Sequence, residues 1–104
     1  MKKLLLLFVL TFVLPVYSQW EPQQSGVSAS LNDVYCISEN TVVIVGDSGT
    51  ILKTTDGGEH WIPKTSSTTE HLVKVQFVNA NVGYAVSSVG TVLKSTDGGE
   101  TWIT

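Results

Sequence analysis

Two aspartates, Asp56 and Asp97, stand in nearly identical surroundings and are the clearest candidates for chemistry in this sequence. Their segments read Lys53-Thr-Thr-Asp-Gly-Gly-Glu-His-Trp61 and Lys94-Ser-Thr-Asp-Gly-Gly-Glu-Thr-Trp102. Carboxylates in such positions could act as catalytic acids or as calcium ligands. An Asp side chain can also accept hydrogen bonds from nearby backbone N–H groups and so close a turn. Because the same residue recurs in the same local sequence, we interpret both aspartates as turn-forming residues.

The other reactive side chains are scattered through the sequence. His60 and His71 do not have the spacing of a zinc-binding pair. Tyr35 and Tyr84 have no carboxylate placed beside them in the sequence. Cys36 is the only cysteine, so an intrachain disulfide is excluded, and its apolar surroundings predict a buried side chain. We therefore expect no catalytic residue, no bound metal and no cofactor.

The tryptophans mark an internal repeat. Trp20, Trp61 and Trp102 follow one another at intervals of 41 residues. At the same offset, residues 31–62 align without a gap on residues 72–103. A period of about 40 residues is typical of arrays built from one supersecondary unit.

Each repeat divides into short segments with the pattern of β-strands. Apolar, β-branched runs alternate with turns, and no window outside the N-terminal segment has a helical period. The expected strands are 31–37, 41–45 and 50–54 in the first repeat and 72–78, 83–86 and 91–95 in the second, each set followed by a short strand at the tryptophan. The first strand of each repeat is apolar enough to be buried, and the turn glycines Gly49 and Gly90 are expected at positive φ. Four antiparallel strands per repeat predict an all-β fold of two β-propeller blades, which is a partial propeller.

The N-terminal residues 1–18 have the pattern of a signal peptide. Lys2 and Lys3 precede an apolar run, Leu4–Leu14, that is shorter than the roughly 20 residues needed to span a bilayer. An uncleaved membrane anchor is the alternative, and this length disfavours it. Small residues before Gln19 predict cleavage there. We therefore expect a secreted or periplasmic protein that has no membrane attachment after cleavage.

The repeat also divides the mature chain, residues 19–104, into segments. Its parts are a strand and linker from a preceding blade position (19–30), the first repeat (31–63), the loop between blades (64–71) and the second repeat (72–104). The first of these is assigned because Trp20-Glu-Pro22 matches Trp61-Ile-Pro63 in phase. Together they make one small domain.

The charge of the chain argues against nucleic acids and anionic membranes as partners. The formal net charge is −3, and loss of Lys2 and Lys3 with the signal peptide makes it −5. The sequence has no arginine, whereas binding to phosphate groups depends on clustered cationic side chains. Lys53 and Lys94 occupy matching strand positions, where we expect their charged groups to face solvent.

The two turns resemble a known motif. The residues that match the Asp box, or BNR repeat, Ser/Thr-x-Asp-x-Gly-x-Thr-Trp, are Thr54, Asp56, Gly58 and Trp61 in the first repeat and Ser95, Asp97, Gly99, Thr101 and Trp102 in the second. The first repeat departs from the motif at His60, where threonine is usual. The longer pattern Gly-Asp-Ser-Gly-Thr-Ile-Leu-Lys-Thr-Thr-Asp-Gly-Gly resembles the photosystem II stability/assembly factor-like family of β-propeller proteins.

This resemblance implies a non-catalytic module that acts in protein binding or complex assembly, and the predicted signal peptide implies that the module is secreted. The alternative is a fragment of a sialidase-like glycoside hydrolase, since Asp boxes also occur in sialidases, with the catalytic residues in further blades. Sialidases hold the substrate carboxylate with arginines, whose planar groups bind it with two hydrogen bonds. Because arginine is absent here, we prefer the binding module.

The apolar residues of the two repeats exceed what one contact between blades can cover. In a propeller each blade face is covered by a neighbour, and two blades form only one such contact. The residues concerned are Val34, Val43, Val45 and Leu52 and, in the second repeat, Val75, Tyr84, Val86 and Leu93. We therefore expect the partner to be another protein, further propeller blades or copies of this chain.

Overall fold

The computed structural model describes residues 26–104, which fold into β-strands and turns with one turn of 3-10 helix. The strands are β1 (Leu31–Cys36), β2 (Val42–Gly46), β3 (Thr50–Thr54), β4 (Ile62–Lys64), β5 (Leu72–Phe77), β6 (Gly83–Ser87) and β7 (Val92–Ser95). The predicted all-β class is confirmed. The expected signal peptide, residues 1–18, and the strand expected at Trp20 lie outside the described residues. No helix in the described part is long and apolar enough to cross a membrane.

The strands form two antiparallel sheets, one for each repeat. The first has the order β1-β2-β3-β4 and the second the order β5-β6-β7. We call them the first and second blade. The fourth strand expected in the second blade is reduced to a single bridge, in which Lys94 and Ile103 exchange backbone hydrogen bonds of 2.7 and 2.9 Å. In the first blade, β4 pairs with β3 through three residues.

One hydrophobic core lies between the two blades. Val43, Val45 and Ile51 of the first blade are at most 1% exposed. The second blade contributes Leu72, Val75, Phe77, Ala85, Leu93 and Trp102. No core residue of the second blade stands 41 positions after Val43, Val45 or Ile51. The two blades therefore meet through opposite faces of the same repeat, as consecutive blades of a propeller do.

Each blade also has an outer face that is turned away from the other blade. Paired residues of neighbouring strands lie on the same side of a sheet, so the strand pairing identifies these faces. The outer face of the second blade includes Tyr84, Val86 and Val92, of which Tyr84 is 37% and Val92 49% exposed. The outer face of the first blade includes Val34, Cys36 and Ile44. Both faces carry apolar side chains that the other blade does not cover.

The first strand of the first blade is more exposed than its sequence predicts. Val34 is 53% exposed, whereas its equivalent Val75 is 5% exposed. Cys36 is exposed as well, although its equivalent Phe77 is buried, so the prediction of a buried cysteine is wrong. The reason is positional, because these residues lie on the outer face of the first blade while their equivalents face the core.

The hairpin between β2 and β3 depends on a left-handed backbone. Ser48 and Gly49 have φ values of 59° and 74°, and Gly90 at the equivalent turn has 97°, as expected from the sequence. At Gly49 a Cβ atom would also collide with the carbonyl oxygen of Thr68 in the loop between the blades. This hairpin therefore packs closely against the connection that leads to the second blade.

Candidate functional site

The first Asp-box turn is closed by two side chains. The hydroxyl of Thr54 donates a 2.7 Å hydrogen bond to Asp56 Oδ1 and accepts one of 3.0 Å from the backbone N–H of Gly58. Asp56 Oδ1 also accepts a 3.0 Å hydrogen bond from the backbone N–H of His60. The ring Nδ1 of His60 lies 2.6 Å from Asp56 Oδ2. Both oxygens of the carboxylate are therefore engaged within their own turn.

The second turn repeats this geometry with different residues. Ser95 takes the place of the threonine, donating a 2.8 Å hydrogen bond to Asp97 Oδ1 and accepting one of 2.8 Å from the backbone N–H of Gly99. Thr101 donates its backbone N–H to Asp97 Oδ1 at 2.9 Å and its hydroxyl to Asp97 Oδ2 at 2.6 Å. The ring of His60 thus occupies the place of the usual threonine hydroxyl in the first turn.

These hydrogen bonds stabilise the ionised carboxylates. The hydroxyl of Thr101, followed by its backbone N–H, lowers the pKa of Asp97 to about 2. The backbone N–H and then the ring of His60 lower the pKa of Asp56, and the bond to Asp56 raises the pKa of His60. A general acid needs a pKa near the working pH, which is a shift in the opposite direction. Neither aspartate has the properties of a catalytic acid.

Metal binding at the turns has no support either. Among residues 26–104, no three His, Cys, Asp or Glu side chains are grouped so that they could hold a metal ion. The geometry of both Asp boxes is that of a structural turn.

The two Asp-box tryptophans differ in burial. Trp102 is 2% exposed, donates its indole N–H to the carbonyl oxygen of Gly99 at 2.9 Å and meets the ring of Phe77 edge-on at 5.8 Å. Trp61 is only half-buried, although the sequence predicts that it is largely buried. Trp102 belongs to the core between the blades, and its repeat equivalent Trp61 is not part of that core.

An ion-pair cluster joins the blades beside the second Asp box. The carboxylate of Glu100 lies 2.7 Å from Lys53 Nζ and 2.7 Å from Lys64 Nζ. Lys53 is 8% exposed, so the expectation of a solvent-facing charged group is wrong there, whereas its equivalent Lys94 is exposed as predicted. The two lysines lower the pKa of Glu100. Sequence reasoning missed this cluster because its members come from separate repeats.

A second polar group lies at the other end of the blades, where the β2–β3 hairpin meets the loop that leads to β5. We call Asn32, Asp47, Ser48 and His71 the junction cluster. Asn32 Nδ2 donates to Asp47 Oδ1 at 2.9 Å and to the carbonyl oxygen of Leu72 at 2.8 Å. The backbone N–H of Ser48 donates to His71 Nδ1 at 3.1 Å. The side chain of His71 is 58% exposed and that of Asp47 38%, so fixed polar groups are offered to solvent.

The junction cluster is not a catalytic triad, even though it contains Ser, His and Asp. In a triad, the aspartate accepts the proton of His Nδ1 while the serine hydroxyl bonds to Nε2. Here His71 Nδ1 accepts the backbone N–H of Ser48 and lies 3.6 Å from Asp47 Oδ1. The arrangement can recognise hydrogen-bonding groups, but it does not activate a nucleophile.

A groove of about 540 Å³ runs along the outer face of the second blade. Its polar lining residues include Asp33, Lys74, Gln76 and Tyr84. Asp33 accepts a 2.9 Å hydrogen bond from the backbone N–H of Val75 and so ties β1 to β5. Tyr35 and Tyr84 lie apart, since Tyr35 packs on Phe77, with the ring centres 5.6 Å apart, in the core region. Neither tyrosine is paired with a carboxylate by the contacts described.

Comparison with known proteins gives consistent results. The family model described as photosynthesis system II assembly factor YCF48 matches residues 14–104. The solved structure entitled "YCF48 bound to D1 peptide" is 31% identical with a TM-score of 0.75, and the match covers 84% of this chain and 30% of that one. YCF48 from Cyanidioschyzon merolae is 26% identical with a TM-score of 0.65, covering 77% of this chain and 28% of that one. No curated protein matches. The chain spans less than a third of the length of these solved structures.

Proposed function

Because the chain belongs to the YCF48 family of photosystem II assembly factors, we propose that it is an exported, non-catalytic propeller module that binds a segment of a protein partner during complex assembly. The observation that carries this proposal is the 31% identity, over 84% of the chain, to a YCF48 structure that holds a D1 peptide. The export part is supported by the positively charged and apolar pattern of residues 1–18.

The geometry of the blades supports binding rather than catalysis. The Asp-box carboxylates accept hydrogen bonds within their own turns, and these bonds lower their pKa values. The junction cluster has exposed polar atoms held by hydrogen bonds on a hairpin and a short loop. Groups held in this way recognise the backbone of a peptide with little loss of side-chain entropy. We place the binding surface at this end of the blades.

The test is a titration of the purified chain with the D1 peptide. Binding is measured by calorimetry or by the fluorescence anisotropy of a labelled peptide. Saturable binding is expected. Asp47→Asn replaces one carboxylate acceptor with an amide donor, and His71→Ala removes the imidazole. Each change should weaken binding by about 5-fold, which corresponds to one hydrogen bond. Glu39→Gln is the matched control, because Glu39 lies in the β1–β2 turn at the opposite end of the blade. Failure of the unmodified chain to bind would refute a YCF48-like partner.

The hydrolase alternative is distinguished by activity. A sialidase needs a cationic clamp for the substrate carboxylate, and this sequence has no arginine. We expect the chain, at a concentration of about 10 µM, to release no more fluorophore from a fluorogenic sialoside than a boiled sample does. The assay covers pH 4 to pH 8. Turnover clearly above the boiled sample would favour the hydrolase.

A further inference from the structure

The outer face of the second blade is the repeat equivalent of the surface through which the first blade packs on the second. Tyr84, Val86 and Val92 stand 41 residues after Val43, Val45 and Ile51, which are buried between the blades. The groove on this outer face is lined by Tyr84 and Val86 together with residues of β5. The second blade thus presents a surface of the kind that a following blade would cover.

The outer face of the first blade is equivalent to the other half of the same interface. Val34, Cys36 and Ile44 stand 41 residues before Val75, Phe77 and Ala85, which are all at most 5% exposed in the core. Val34 is 53% exposed and Cys36 is exposed, while Leu52 on the same side is already buried. The chain therefore has both halves of a blade–blade contact, one on each end of the two-blade unit.

The charged residues that join the two blades also recur at the 41-residue interval. Inside the molecule, Lys53 of the first blade pairs with Glu100 of the second. Their equivalents are Lys94 and Glu59, which are both exposed. Lys94 lies on the outer face of the second blade, with its Nζ 5.9 Å from the centre of the Tyr84 ring. Glu59 lies in the Asp-box turn of the first blade, as Glu100 does in that of the second.

From these equivalences we infer that a second copy of this chain docks head to tail, with the outer face of its first blade on the outer face of the second blade. In this register Glu59 of one copy meets Lys94 of the other, and Val34 and Cys36 enter the groove beside Tyr84. Such a contact uses different surfaces on the two copies, so it generates a closed ring or an open chain.

The contact between copies lacks two hydrogen bonds of the internal one. Asn32 and Asp33 bind the backbone of β5 inside the molecule, and Val73 and Lys74 stand at the equivalent positions. The two internal blades are also connected by the chain, which raises their effective concentration. Association between copies is therefore weaker than the internal contact and depends on protein concentration.

The experiment is sedimentation velocity of the purified chain over a range of concentrations. Oligomers that form as the concentration rises are expected. Lys94→Glu and Glu59→Lys each place like charges together and should raise the dissociation constant by about 10-fold. The double variant restores opposite charges and should associate like the unmodified chain. Glu39→Lys is the matched control, because it is the same charge reversal in the first blade and its equivalent Ala80 stays exposed.

A second variant and a chemical readout complete the test. Val92→Asp changes an exposed residue of the isolated chain, so folding is retained, and it should abolish the oligomers because its equivalent Ile51 is 1% exposed. Alkylation of Cys36 should slow at the concentrations where oligomers form. A monomer at all concentrations, or oligomers that resist both Val92→Asp and the charge reversals, would overturn the inference. Peptide binding is measured separately, so either proposal can fail alone.

Discussion

At the scale of single residues, Ser95 holds the second Asp box through one hydroxyl group. This hydroxyl accepts the backbone N–H of the buried Gly99 and donates to Asp97. Ser95→Ala leaves the Gly99 N–H without a partner in a buried position and should lower the free energy of unfolding by about 1–3 kcal/mol. Denaturant unfolding at one low protein concentration measures the change, because association would otherwise add to stability. Ser95→Thr, the residue of the first turn, is the control and should retain most of the stability.

The pair of His60 and Asp56 makes the first Asp box sensitive to pH. The pKa of His60 is raised in the folded chain, so its contribution to stability is present below the unfolded value of 6.5 and is lost as the pH rises through the higher folded value. Both side chains are exposed, so salt screens this effect. We expect the chain to melt at a higher temperature at pH 6 than at pH 8 in a low-salt buffer.

The matched variant is His60→Thr, which copies Thr101 of the second repeat. It keeps a hydrogen-bond donor beside Asp56 and removes the titrating group, so the part of the melting-temperature difference that depends on His60 should disappear. A difference between pH 6 and pH 8 that is unchanged in this variant would contradict the role given to His60. The depressed pKa of Asp97, about 2, acts in the other direction, since its contribution is lost as the pH falls from about 4 towards 2.

At the scale of elements, the β2–β3 hairpin holds the loop between the blades. Gly49 combines a φ of 74° with close contact to the carbonyl oxygen of Thr68, whereas Gly90 has a φ of 97° and no heavy atom within 4 Å of an added Cβ. Gly90→Ala should cost about 1–2 kcal/mol from backbone strain alone. Gly49→Ala adds the collision, so the free energy of unfolding should fall further. Equal losses in chemical denaturation would show that the loop moves aside freely.

The two blades are joined by polar contacts as well as by the core. Asn32 and Asp33 of β1 bind the backbone of β5, and Lys53 and Lys64 bind Glu100. These polar contacts fix how the two blades are aligned with each other, because apolar packing alone permits several alignments. The equivalent positions on the outer faces keep the Lys and Glu pair but lose the β1 contacts, which is why we expect the chain to associate reversibly.

At the scale of the whole molecule, the predicted signal peptide would set the N-terminus of the mature chain. The pattern of residues 1–18 predicts cleavage before Gln19, with the two lysines of the leader removed. Mass spectrometry of the protein released by an expressing cell should therefore give an N-terminus at Gln19, in free or cyclised form. Replacing apolar residues of Leu4–Leu14 with charged ones should block release. Released protein that still begins at Met1 would contradict the signal-peptide prediction.

The sequence alone was sufficient to predict the internal repeat, the fold class and the hydrogen bonding of the Asp-box turns. The spacing of the tryptophans gives the 41-residue interval. The alternation of apolar strands with glycine turns permits few structures other than propeller blades. The Asp-box turns are equally local, since the residues that bond to Asp97, from Ser95 to Thr101, lie within seven positions of the chain. Local hydrogen bonds and local backbone angles are properties that neighbouring residues determine.

Only the tertiary structure decided which face of each repeat is covered. Two repeats of similar sequence have the same apolar pattern on both faces, so the sequence predicts equal burial for Val34 and Val75, or for Trp61 and Trp102. Their exposures differ because each blade meets the other through one face only. The same asymmetry buries the Lys53 ammonium against Glu100 and leaves Lys94 exposed. Burial depends on which neighbour is present, and residues that are distant in the sequence supply that neighbour.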